Sequence, residues 1–386
     1  MKRTKVVRGF AAVAAIAVLV GACGGGATAS PSASVAPSAA PSEAPSATPA
    51  AAAWKIGYSN GGGVGNGFRE EQVCTAKAEA LASGQVAELT TIHRNTDTPG
   101  QLSDIRDLIA KGVDAIVFNP NDPAGLNDAL AEAQAAGIIT VAVDQYVTDP
   151  NTYLLYNNQV QYAYLGAKWL FEKLGGTGKV YYMRGFAGAG ADNDRHEGFK
   201  LALAEYPNIE VLPTVDGVAT QWDSATTTQL MNDFIASGQY DTIQGIWTSG
   251  MDQEVVDAIK AAGKKFVPVV GADRGGFVTA LLDETGYAGL EGAAVTNTAA
   301  VGGAGISLAL KLLAGEKVET DSSAPQPNTV LLVPVVAADD NDAGRKTLDS
   351  WLVEGLDPTW PLGLTIEGWT TYTPEQAIAC KGPGEK

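Results

Sequence analysis

Two stretches of the chain place polar side chains directly after a short apolar run, and these are where chemistry could be done. Val113–Phe118 is followed by Asn119 and Asn121, and Ile138–Val143 is followed by Asp144 and Gln145. Apolar runs this short, bounded by turn residues, read as strands of a parallel sheet buried on both faces. Polar groups at the carboxyl ends of such strands border the crevice where open α/β sheets hold ligands. The chemistry they offer is recognition of a small polar molecule: a carboxylate accepts from hydroxyls, and a carboxamide both donates and accepts.

The elements that must position these groups follow from the spacing around them. Asp122 and Pro123 read as the N-cap and first-turn proline of a helix carrying Leu126, Ala129, Leu130 and Ala133 until Gly137. Upstream lie a strand at Lys55–Asn60, the loop GGGVGNG, a helix over 68–83 and a strand at Glu88–His93. Thr98-Pro99-Gly100-Gln101 then fits a capping box, opening a helix with Leu102, Ile105, Leu108 and Ile109 on one face. Downstream, a strand at Tyr153–Tyr156 ends in Asn157 and Asn158 and precedes a helix through Leu165, Trp169 and Leu170. The pattern then begins again, with strands at 179–183, 209–215, 242–247 and 266–270 and helices near 193–205, 223–237 and 252–262. A strand at 293–296, a helix near 300–314 and a strand at 330–336 complete it. Alternation of this kind indicates an α/β fold with parallel sheets, and two successive sets indicate two similar lobes. A length of 386 residues, beyond one ordinary core, agrees with that division.

Several function classes are excluded. The formal charge is −17 and no basic run occurs beyond MKRTKVVR at the start, so no nucleic-acid face can be assembled. The glycine-rich loop matches neither the dinucleotide fingerprint nor the P-loop, and no cofactor is expected. His93 and His196 are too few and too far from cysteine for a metal site, and read as surface or cap residues. No nucleophile elbow or paired base occurs, so catalysis is not expected. The one enzymatic alternative, a glycosidase, would have to use strand-end acids such as Asp144 and Asp273.

The basic start is followed by an apolar run, Gly9–Ala22, and by Val20-Gly21-Ala22-Cys23. This resembles a bacterial lipoprotein signal, cleaved before Cys23 with lipid on its thiol. Residues 24–53, almost wholly Gly, Ala, Ser, Pro and Thr, read as a flexible spacer. Cys74 and Cys380 then form an even pair in an oxidising compartment, and a disulfide is expected between them; two separately buried thiols are the alternative.

The segments KIGYSN with NGF, DAIVFNPND, AGIITVAVD, YNNQVQYAYLGAKWL, GFAGAGADNDRHEGF, DTIQGIWTSGMD, VVGAD and ALKLLAGEKV occur in this order. Together they resemble the type I periplasmic binding proteins, and among them the ribose- and galactose-binding-like solute receptors of sugar ABC transporters, over residues 54–336. The resemblance implies two Rossmann-like lobes joined by a three-crossover hinge near 156–158, 296–297 and 335–338. One lobe is then 54–156 plus 298–334 and the other 157–297 plus 335–386, behind a signal at 1–22 and an anchor and linker at 23–53. It implies a lipid-anchored monomer on the extracytoplasmic face that captures a carbohydrate and passes it to a permease. A nucleoside, a furanose signal or an amine as ligand, or a signalling partner in place of the permease, are the alternatives.

The resemblance also assigns residues. Asn66 and Phe68 match a polar contact and a stacking ring; Arg69 stands where ribose receptors carry a second ring. Asn119 matches the polar strand end, Asp144 the carboxylate that takes two sugar hydroxyls, and Gln145 replaces an arginine. In the second lobe Asn193 replaces an arginine, while Arg195 is expected in a structural ion pair with Glu197 or Asp192. Trp222 matches a cleft aromatic, Trp247 ends a strand facing the cleft with Asp252 close behind, Asp273 matches a second carboxylate, and Thr296 and Asn297 a hinge contact. These exchanges imply a carbohydrate larger than, or shaped differently from, ribose. For Asn119, Asp252 and Asn297 the N-cap reading stands beside the binding one. For Trp247 a core position stands likewise, and Trp169 reads as core.

Overall fold

The computed structural model describes residues 54–322 and 324–386. The expected signal, Cys23 and the spacer lie outside the described residues. From Trp54 the chain alternates: β1 (Trp54–Asn60), α1 (Gly67–Ala82), β2 (Val86–His93), α2 (Thr98–Ala110), β3 (Ala115–Asn119), α3 (Asn127–Ala135), β4 (Ile139–Val143), β5 (Tyr153–Asn157) and α4 (Gln159–Lys173). It continues with β6 (Thr177–Arg184), α5 (Gly190–Glu205), β7 (Asn208–Leu212), β8 (Val218–Ala219), α6 (Ser224–Ala236), β9 (Gly245–Thr248), α7 (Asp252–Ala261) and β10 (Val269–Ala272). Last come α8 (Gly275–Leu282), β11 (Gly292–Val295), α9 (Val301–Leu313), β12 (Thr329–Leu332), β13 (Val336–Ala338), α10 (Asp342–Trp351) and α11 (Pro374–Ala379).

Two sheets result, ordered β12-β5-β4-β3-β1-β2 and β13-β11-β10-β9-β6-β7, with β8 beside the end of β6. All neighbouring strands run parallel except β13, which is antiparallel to β11. Each sheet is covered on both faces, which is why its strands are continuous apolar runs instead of alternating ones. In β9, Ile246 enters one core with Met231, Val255 and Phe277, and the next residue, Trp247, enters the other with Tyr182 and Phe199. Helix α9 follows the second sheet in sequence but packs on the first. Its small residues allow the approach: a Cβ on Gly302 would fall 2.1 Å from the Gln72 carbonyl oxygen on α1. The chain therefore passes between sheets three times, after β5, after β11 and between β12 and β13.

Local departures from the expected elements have physical causes. Helix α3 begins at Asn127, not after Asp122, because Asp122 Oδ1 instead accepts the Ala124 and Gly125 N–H groups in a tight turn. Helix α2 has no capping box; Asp97 caps it by accepting from the Gly100 N–H, and Gln101 turns inward to the Asn119 carbonyl and the Asn121 N–H. β7 stops at Leu212 because Pro213 has no N–H to give to the ladder. The stretch 330–336 is two strands on different sheets, not one. Helix α8, absent from the sequence reading, and the tail helices α10 and α11 complete the body. The expected division leaves 335–386 with the second lobe, and the chain stays there through β13, α10 and Leu362, with Leu348 of α10 packed near Ala337 and Leu281. Beyond that point Leu364, Tyr372 and Ala377 bury against Ala78 of α1, and Cys380 is disulfide-bonded to Cys74.

Candidate functional site

The carboxyl ends of both sheets face one cleft. On the first lobe the parallel register sets Asn60 of β1 beside Asn119 of β3. Asn119 is fully buried and donates from Nδ2 to Asp144 Oδ2 at 2.8 Å and to Gln72 Oε1 at 2.9 Å. It thus fixes the Asp144 carboxylate from behind. Asp144 itself lies in the left-handed region, φ 68°, which Asp tolerates better than most residues and which turns its side chain off the end of β4. Its second oxygen accepts no hydrogen bond from the described residues. Gln145 donates to Asn119 Oδ1 and the Pro120 carbonyl, each at 3.3 Å.

Arg69, in the first turns of α1, donates to Asn60 Oδ1 at 2.9 Å. Burial pulls its guanidinium below the usual value, and the nearby Asp144 carboxylate opposes that shift. Asn66 caps α1 through the Arg69 N–H, and Phe68 stands between them on the cleft wall.

On the second lobe the central group is Arg195 of α5, only 4% exposed. It donates from Nε to Gln159 Oε1 at 2.8 Å, and from Nη1 to the Ser249 carbonyl and hydroxyl at 3.0 and 3.1 Å. Its guanidinium carbon lies 4.3 Å from the Tyr162 ring centroid and 5.7 Å from that of Trp222. No carboxylate of the described residues lies within ion-pair distance of it: the expected partners are elsewhere, Asp192 with Arg184 at 2.5 Å and Glu197 with Lys200 at 2.9 Å. Trp222, also at positive φ, is locked by its Nε1–H donating to the Ser249 carbonyl at 2.7 Å.

These groups enclose a cavity of about 580 Å³, within the roughly 300–1,000 Å³ usual for small-ligand sites. Asn66, Phe68, Arg69, Asp144 and Gln145 line it from one lobe, and Trp222 and Arg195 from the other. Asn297 lines it at the hinge, where its Oδ1 accepts from Gln159 Nε2 at 3.0 Å. The lobes touch at the rim. Asn66 Nδ2 donates to the Trp222 carbonyl at 3.2 Å, and the Ala191 N–H reaches Gln145 Oε1 at 3.4 Å.

Six expected contacts are placed off the wall. Asn119 stands behind Asp144, and Asn193 is exposed on the outer side of α5. Trp247 is fully buried among Tyr162, Tyr182 and Phe199, so it is core. Asp252, at the start of α7, accepts the Ala272 N–H at 2.6 Å and lies 3.8 Å from Arg274; burial pushes its carboxyl up to about 6. Asp273 turns into the hinge, accepting the Asn297 N–H at 2.8 Å, and burial likewise pushes it up to about 6. Thr296 accepts the Val335 N–H at 2.7 Å between the second and third crossings. Conversely, Arg195 and Arg274 line the cavity and were not expected there. Arg274 is paired with Glu254 at 2.7 Å, which leaves Arg195 as the second lobe's cation on the wall without a carboxylate at ion-pair distance among the described residues. Among those residues no cluster of His, Cys, Asp or Glu could hold a metal ion, and no helix is long and apolar enough to cross a membrane.

Residues 56–317 match the periplasmic binding protein domain family. The xylitol-binding protein of Mycolicibacterium smegmatis is 28% identical over 269 residues, 68% of this chain and 72% of that protein. The ribose import binding protein of Bacillus subtilis is 26% identical over 198 residues, 50% of this chain and 62% of that protein. An ABC transporter solute-binding protein from Thermobispora bispora superposes with a TM-score of 0.68 at 25% identity, covering 80% of this chain and 90% of that one.

Proposed function

The chain belongs to the periplasmic binding protein domain family, and on that premise we propose that it captures a sugar in the interlobe cleft and delivers it to an ABC transporter permease. Its two parallel α/β lobes are the type I fold of that family, whose members are solute-binding proteins and not enzymes. The observation that carries the sugar reading is Asp144: one oxygen is held by Asn119, and the other accepts from no donor among the described residues, while the residue lines the cavity. A sugar hydroxyl supplies the missing donor, the amides of Gln145 and Asn297 and the guanidinium of Arg195 serve the rest of the rim, and Phe68 and Trp222 meet the C–H faces. Closure dries the cleft, so a hydroxyl left unmatched there is costly and selects among sugars. The relatives named for xylitol and ribose support polyols and pentoses as the first compounds to try.

Export, a lipid on Cys23 and the tether of residues 24–53, read from the sequence, and a monomeric state, implied by the resemblance, belong to the same proposal. A thermal-shift screen of D-ribose, xylitol, D-galactose, adenosine and putrescine against the purified chain tests the ligand class. A shift with a sugar or polyol is the expected outcome; a shift with adenosine or putrescine alone would replace it.

A further inference from the structure

The family match ends at residue 317, yet the cavity wall does not: Thr359 and Pro361 also line it. We infer that residues 357–363 are a fourth crossing between the lobes, a strap that forms one wall of the cavity and helps decide which ligand fits. The inference rests on the reading of this cavity as the ligand site.

The strap is bound to the second lobe by its backbone. The Gly275 and Gly276 N–H groups, the first of α8 and so without partners inside the helix, donate to the Trp360 and Pro358 carbonyls, each at 2.8 Å. Arg274 Nε reaches the Thr359 carbonyl at 3.3 Å, and the Leu362 N–H donates to the Asp273 carbonyl at 2.9 Å. One residue later the chain meets the hinge, where the Thr298 hydroxyl donates to the Gly363 carbonyl. Beyond Gly363 all its anchors lie on the first lobe. Leu364, Tyr372 and Ala377 bury against Ala78 of α1, Glu79 of α1 accepts from the Thr371 N–H and hydroxyl at 2.7 and 3.0 Å, and the disulfide fixes Cys380 to Cys74.

The two lobes thus hold the same segment on either side of Gly363. When they part, residues 357–362 travel with the second lobe and 364–380 with the first. When they close, the strap lands on the start of α1. A Cβ on Gly67 would fall 2.3 Å from the Thr359 carbonyl oxygen, so only glycine admits this approach. The strap is a cavity wall in the closed form, restrained by a covalent anchor on the lobe it closes against.

The test uses the full chain, a Cys74→Ser/Cys380→Ser variant and a Thr359→Tyr variant. Hydrogen exchange is followed by mass spectrometry without ligand, and affinities are measured for D-ribose, xylitol and D-galactose. Removing the disulfide is expected to speed exchange at least tenfold across 362–380, and Thr359→Tyr to reorder the three affinities while exchange elsewhere stays unchanged. Unchanged exchange across 362–380 overturns the anchored strap. An unaltered order of affinities in Thr359→Tyr overturns its part in specificity, and this variant decides that point even where the cysteine variant folds poorly. If none of the three compounds binds the parent chain, the sugar reading fails, while the exchange comparison still decides the strap.

Discussion

The two rims of the cleft carry different polar groups. The first lobe presents a carboxylate, Asp144, held by a buried amide and with one oxygen that accepts from no described residue. The second presents a guanidinium, Arg195, held by carbonyl and amide oxygens and stacked on Tyr162, with no carboxylate at ion-pair distance among the described residues. A hydroxyl-rich guest can donate to one rim and accept from the other at once. On the proposed reading, a guest that uses both rims at once favours closure.

The sharpest way to break this asymmetry is Asp144→Ala. Losing a charged acceptor from a dry cleft costs about 3 kcal/mol, on the order of a hundredfold in Kd by calorimetry, with an unchanged circular dichroism spectrum. Arg195→Met removes the opposite pole and leaves Gln159 Oε1 short of a donor. It is expected to cost about 2 kcal/mol of affinity, roughly thirtyfold, and also to lower Tm. Arg195→Lys should recover little, because an ammonium cannot serve Gln159 and Ser249 in the same forked geometry.

Gln145→Ala removes the amide that meets the Ala191 N–H across the rim. It should cost about 1 kcal/mol, read chiefly as a faster koff in stopped-flow binding. The last effect is on stability rather than affinity and concerns Asp194 in the first turns of α5, where burial pushes the carboxyl up to about 6 and its charge acts on Tyr146 and Tyr156 of the first lobe. A raised folded value means the native state holds this proton more tightly than the unfolded one. Its contribution to stability therefore falls as pH rises from about 4 to about 6, and stays at its least favourable above that. Asp194→Asn should raise Tm at pH 7 relative to the parent and lose that advantage by pH 4.

The comparison also explains what the residues disclosed and what they withheld. The β–α alternation was legible because both sheets are covered on both faces, so their strands are bare apolar runs. Asp144 and Gln145 were legible because a strand end fixes where the next two side chains go. Asp273 sits at an equivalent strand end, but its carboxylate is claimed by the Asn297 N–H, a partner 24 residues away that no local pattern announces. Arg195 depended on helix phase. Two residues along α5 are about 200° apart, so choosing Asn193 for the cleft put Arg195 on the wrong face. The parity of β9 hid Trp247 in the same manner, since both of its faces are core. The tail carries no sustained period, because its bonds are made by backbone carbonyls to α8 and to the hinge. Its wall segment is invisible to any reading of side-chain pattern.

The central claim is that both rims hold one ligand together. A crystal structure of the chain with the sugar or polyol that gives the largest thermal shift tests it most directly. Hydroxyls of one bound molecule are expected within hydrogen-bond distance of both Asp144 and Arg195. A ligand bound outside the cleft, or one touching only a single rim in a closed structure, would contradict it.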